Sequence, residues 1–120
     1  MSFQGELEAI CAEVPGSQTA TVMSLDGIAV ANHSVAEPAL DTEALFVELV
    51  GPLKQAISAM GAVDAGQLDV LELAARQGVV LVRMLSEEHF VSLLLAPDAL
   101  VGRGRYALRR HSPSLRRELL

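Results

Sequence analysis

"LDVLELAARQGVVLVRMLSEEHFVSLLL", residues 68–95, decides the fold. It holds three apolar runs, over residues 67–75, 79–85 and 89–96, separated by Arg76-Gln77-Gly78 and Ser86-Glu87-Glu88. Short runs rich in Val and Leu and bounded by turn residues read as strands. Links this short allow only hairpins, so neighbouring strands must run antiparallel. The second and third runs are apolar at most positions. That pattern predicts strands buried on both faces, with helices above and below the sheet.

Upstream, "ATVMSLDGIAVANHS", residues 20–34, adds two more strands. Residues 18–25 favour the pleated state through Thr and Val, and residues 28–34 follow Asp26-Gly27. An Asp-Gly pair between such runs predicts a hairpin with a type I′ turn, in which both corner residues take positive φ. Asp26 and Gly27 therefore have a structural job. Residues 3–14 place Phe3, Leu7, Ile10, Cys11 and Val14 at spacings of three and four, an amphipathic helix that Pro15-Gly16 stops. Pro38 and Asp41 set up a second helix over about residues 41–60, with Asp41 or Thr42 as cap and Glu43 in the first turn. Its Leu45, Phe46, Leu49, Val50, Leu53, Ile57 and Met60 lie on one arc that should face the sheet. Gly51-Pro52 should kink or reset this helix, because proline removes a backbone bond. Pro97-Asp98 opens a last helix with Asp98 at its positive end, and Pro113 should interrupt it, Ser112-Pro113 offering a cap for a final turn.

The expected architecture is α/β (α+β): a single domain over residues 1–120 with a five-stranded antiparallel sheet and helices on its faces, in the order α-β-β-α-β-β-β-α. Apolar residues make up 51% of the chain before its 9 glycines are counted. Average chains reach only ~45–50% with glycine included. The surplus predicts a buried protein–protein face, most simply a homodimer.

Several function classes drop out. Aromatic residues are few (Phe3, Phe46, Phe90 and Tyr106) and the net charge is −6. Neither suits base stacking or a phosphate backbone, so no nucleic-acid partner is expected. Cys11 is the only cysteine, which excludes an internal disulfide and points to a cytoplasmic chain. No apolar run reaches the ~18 residues of a membrane helix, and the acids Glu6 and Glu8 near the start do not suit a secretion signal. Charge is uneven: Arg103, Arg105, Arg109, Arg110, Arg116 and Arg117 crowd residues 99–120 against Glu118 alone, while the rest is acidic. The two parts are expected to compensate each other, within a chain or across a dimer.

No catalytic constellation survives inspection. Asp26 has no partner carboxylate or histidine nearby, and a hairpin tip does not raise a carboxyl pKa. His33, His89, His111 and Cys11 make none of the metal-ligand spacings. "GRGR", residues 102–105, lacks the Gly-Lys-Ser/Thr ending of a phosphate loop. Gly102 and Gly104 instead predict a close approach of helix to sheet. Ser24, Ser34 and Ser112 have no G-x-S-x-G context. No cofactor, metal or catalytic residue is expected.

The surface is more informative. Opposite the apolar arc of the second helix, Ala44, Val47, Gly51, Gln55 and Ser58 recur every three or four residues. Small residues at that spacing admit another helix closely; an ordinary solvated face is the alternative. Glu43, Glu48 and Lys54 beside them would set orientation and association rate. On the last helix Arg103, Arg110 and Arg117 repeat every seven residues, with Tyr106 between the first two. That stripe suits an acidic partner, or arginine stems laid over the sheet.

Residues 20–34, residues 68–95 and "LVGRGRYALRR", residues 100–110, together resemble the roadblock family of dynein light-chain-like domains, closest to its bacterial MglB-type members. The likeness spans about residues 3–120; the Gly51-Pro52 break departs from the family's uninterrupted second helix. The resemblance implies a homodimer whose sheets join edge to edge and whose second helices pair. The interface it implies takes Ala44, Val47, Gly51, Lys54, Gln55 and Ser58 from the second helix. It takes Leu68, Val70, Leu71 and Leu73 from the third strand. It also implies a Ras-like small GTPase as partner, whose hydrolysis is modulated through its own switch regions without an arginine finger. Glu43, Glu48 and Arg76 are the expected GTPase contacts, Arg76 being the choice if an arginine were donated in trans. Two rivals stand beside this reading: a non-catalytic scaffold dimer, and a small-molecule sensor of PAS or profilin kind, whose signature is an apolar pocket with convergent polar groups.

Overall fold

A computed structural model describes residues 2–35 and 40–120. The elements are α1 (Phe3–Glu13), β1 (Ser17–Ser24), β2 (Ala29–Ser34), α2 (Thr42–Ala62), β3 (Val70–Ala75), β4 (Gly78–Met84), β5 (His89–Leu95) and α3 (Val101–Glu118). The five strands form one sheet in the order β2-β1-β5-β4-β3, antiparallel throughout. Alternation along the strands splits the core in two. Leu81, Val91, Leu93 and Leu95 join Ala20 and Val22 beneath Leu7 and Ile10 of α1 and Leu108 and Leu115 of α3. Val80, Val82, Phe90 and Leu94 meet Phe46, Leu49 and Leu53 of α2 on the other face. β4 and β5 are therefore buried on both sides, as their apolar runs predict.

Neither proline breaks its helix. α2 runs unbroken through Gly51-Pro52, and α3 through Pro113. Both prolines are exposed, and so are Glu48 and Arg109, whose carbonyls lose their donor four residues on. Water can satisfy those carbonyls, while buried Leu49 and Leu53, or Leu108 and Leu115, hold each helix to the sheet on its other side. Ser112 caps nothing; its hydroxyl donates to the Leu108 carbonyl. Leu100 occupies the α3 cap position with no side-chain hydrogen bond, and Asp98 lies two residues ahead of it, on the side of the helix's positive end. Asp41 does cap α2, accepting from the Ala44 N–H at 3.1 Å, and Ser2 caps α1 by accepting from Gly5. Pro38 lies outside the described residues. α2 ends at Ala62 with Val63 as its C-cap, and Asp64 just beyond takes the left-handed conformation (φ +57) common there.

The β1–β2 turn also differs from the expectation. Ser24 N–H donates to the Ile28 carbonyl and Gly27 N–H to the Ser24 carbonyl, and Gly27 takes positive φ (+84) while Asp26 does not. The loop is therefore three residues long, a turn followed by a left-handed glycine, rather than a type I′ pair. The register then slips once, Val22 facing Ala31 and Met23 facing Ala29, so Val30 bulges from β2.

Candidate partner-binding surface

The two sheet edges are unequal. β2 is guarded by its bulge and by Gln4 of α1 reaching His33, and its side chains are tied back to β1, Asn32 Oδ1 accepting from the Thr21 hydroxyl and Ser34 sharing a hydrogen bond with Thr19. β3 has no such guard. Its register with β4 is regular from Val70 to Ala75, and it carries no proline, lysine or bulge. Met84 N–H donates to the Asp69 carbonyl at 2.9 Å, directly across the ladder. The alternation of the ladder then points Leu71, Leu73 and Ala75 at β4 and turns the backbone groups of Val70, Glu72 and Ala74 outward. An unblunted edge of this kind is a template for another strand.

The outer side of α2 is equally uncovered. Ala44, Val47, Gly51, Lys54, Gln55 and Ser58 are all exposed, Val47 at 50%. A side chain built at Gly51 would meet nothing within 4 Å. On β3, Val70 is 38% and Leu73 43% exposed. Leu68 and Leu71 instead pack partly against the α2-side core, and Leu68 lies ahead of β3 rather than within it. Glu43, Glu48 and the turn residue Arg76 face solvent. The surplus apolar surface thus gathers in part on α2 and along one open edge.

Three of the six α3 arginines clasp other elements. Arg105 forms a two-pronged pair with Glu72 of β3, at 2.6 and 2.8 Å. This guanidinium hydrogen bond holds the Glu72 carboxyl below the usual carboxylate range, against a smaller opposing effect of burial. Arg116 donates to the carbonyls of Leu85 and Met84. Arg110 pairs with Glu13 of α1, while Arg103 and Tyr106 stay exposed. Gly104 fits the close-approach reading: an added Cβ would sit 2.7 Å from Leu81 Cδ1. Gly102 does not, since nothing lies within 4 Å of its position.

One polar cluster escapes the sequence reading. His111 is buried between α1 and α3, with Nδ1 2.5 Å from the Glu6 carboxylate and Nε2 3.1 Å from that of Glu13. The available signal was Glu6 itself, a carboxylate at helical spacing between Phe3 and Ile10. The cluster ties two helices together, with His111 and Glu6 closed to solvent. His89 is held by Ser86 in the β4–β5 turn, and burial pushes the Cys11 thiol up to about 11. Among the described residues no group of three His, Cys, Asp or Glu side chains could hold a metal ion, and no helix is long and apolar enough to cross a membrane.

A cavity of about 920 Å³ opens where α2 ends, between the α2–β3 loop, the β4–β5 turn and the end of α3. Ile57, Leu68 and Met84 line it together with the acids Asp64, Asp69 and Glu87 and with Arg116 of α3. Asp64 and Asp69 come from the α2–β3 loop and Glu87 from the β4–β5 turn, so only the folded sheet brings the three together.

No protein-family model matches the sequence, and no curated protein does. Solved structures do. MglC from Myxococcus xanthus is 30% identical, with a TM-score of 0.72 over 98% of this chain and 99% of that one. A Roadblock/LC7 domain from Streptomyces avermitilis has a TM-score of 0.85 at 16% identity, over 99% and 98% of the two chains. The gliding protein MglB from Thermus thermophilus reaches 0.84 at 16% identity, over 95% and 85%. The latter two share the fold; MglC shares sequence along its whole length as well.

Proposed function

The chain belongs to the roadblock family, and from that premise we propose that it is a homodimeric regulator that binds a Ras-like small GTPase and does no bond chemistry itself. The observation that carries this reading is the pairing of an open β3 edge with an uncovered α2 on one molecule. Each is costly to leave in water or prone to pair wrongly, and a twin copy covers both at once. In the proposed dimer the outward N–H and C=O groups of Val70, Glu72 and Ala74 bond to the twin strand, and the small residues of α2 let the helices approach. The doubled helices then form a platform edged by Glu43 and Glu48. A GTPase held there would be regulated by ordering its own switch groups, since positioning and charge carry most of the catalysis of phosphoryl transfer. The likeness to MglC from Myxococcus xanthus supports a bacterial setting, and the single cysteine favours a cytoplasmic one.

Single-turnover GTP hydrolysis by Ras-like GTPases of the same organism, with and without the purified chain, tests the proposal. Binding to one of them with an altered hydrolysis rate is expected. Binding with no change of rate shifts the reading to a scaffold dimer. Failure to bind any of them overturns it.

A further inference from the structure

We propose that the acidic cavity at the end of the sheet is filled, in the dimer, by Arg76 of a second copy. The inference rests on the homodimer reading above and adds to it the residue that the twin contributes.

Topology makes the juxtaposition. β3 starts at the cavity, directly after Asp69, and ends at the β3–β4 turn that carries Arg76. A two-fold axis through the joint of two β3 edges reverses one strand against the other. The start of each β3 therefore lies beside the β3–β4 turn of its twin. Residues facing each other across a sheet share a face, which leaves only a few registers. An axis at Glu72 would oppose two carboxylates, which is unfavourable. An axis at Leu73 pairs that exposed leucine with its own copy and sets Arg76 of the twin across from Val70, one residue from Asp69.

Charge argues the same way. Asp64, Asp69 and Glu87 outnumber the one cation in the cavity lining, Arg116, whose guanidinium is already held by the Leu85 and Met84 carbonyls, and Ile57, Leu68 and Met84 supply an apolar wall for an arginine stem. Arg76 is exposed and makes no ion pair among the described residues. α2 runs in the direction of β4, so the same two-fold brings the acidic start of the twin's α2, with Asp41 and Glu43, toward this end. Arg76 is placed to offset both sets of acids.

Sedimentation equilibrium of the full chain, of Arg76→Glu, of Asp69→Arg and of the two combined tests this. Each reversal is expected to weaken the dimer roughly tenfold, because the contact occurs twice. The combined variant should return to within about threefold of the original, since a swapped pair restores the attraction. Circular dichroism of each variant confirms that folding is intact. A dimer indifferent to both reversals, or a combined variant as weak as the singles, overturns this assignment and leaves the homodimer standing. A chain that stays monomeric at the highest concentrations overturns both.

Discussion

Gly102 and Gly104 sit two residues apart in the same helix and face different surroundings. Helix propensity favours alanine over glycine by about 0.8–1 kcal/mol in a helix interior. At Gly102 that gain meets no obstacle, because the position is open. At Gly104 the new methyl must displace Leu81 and Leu95, which are themselves buried between sheet and helix. Overpacking of such a site typically costs about 1–3 kcal/mol. Urea unfolding should therefore find Gly102→Ala equal to or more stable than the parent chain, and Gly104→Ala less stable by up to about 2 kcal/mol once its own propensity gain is subtracted. The sequence shows that a glycine is needed in "GRGR". It does not show which one, because the answer lies on β4 and β5, strands that the local spacing does not see. His111 repeats the lesson: its partners Glu6 and Glu13 are about a hundred residues away in the chain.

At the scale of elements, the periodic segments are legible, most of their ends to within one or two residues, while the behaviour of a proline inside a helix and of a turn between strands is not. The apolar arc of α2 predicted its buried face down to Phe46, Leu49 and Leu53. No break forms at Gly51-Pro52 in the same helix, because a donor is lost at little cost where the orphaned carbonyl faces water. The hairpin turn was misjudged for a related reason: Asp-Gly fits more than one loop length, and the register of the following strand decides which forms. Gly51 tests what the outer side of α2 is for. Gly51→Leu meets open space within one chain and improves helix propensity, so the folded subunit should be no less stable at low concentration. If α2 packs against its twin, the added side chain must wedge that seam apart. Gel filtration across a dilution series should then show the variant dissociating at a concentration at least about tenfold higher than the parent chain, in line with the cost of overpacking. An unchanged profile would assign the stripe to solvent.

The molecule as a whole is asymmetric in a way that the order of elements along the chain conceals. The meander is contiguous in sequence, yet β5 pairs with β1, which pushes β3 to the rim of the sheet. Whether a strand is an edge is a property of the assembled sheet, so the exposure of β3 follows from the strand order and not from its composition. The guarded β2 edge and the bare β3 edge predict that assembly proceeds through one side only. Proline separates the two faces of the β3 ladder. At position 74 the backbone N–H points to the open edge, so Ala74→Pro removes a donor that the lone subunit does not use. At position 73 the N–H bonds to β4, so Leu73→Pro breaks the sheet itself. Ala74→Pro should therefore keep the parent's circular dichroism while sedimenting as a monomer, and Leu73→Pro should lose stability outright. A dimeric Ala74→Pro would place the joint elsewhere, on α2 alone, and would make the bare edge a hazard that the protein tolerates rather than a surface it uses.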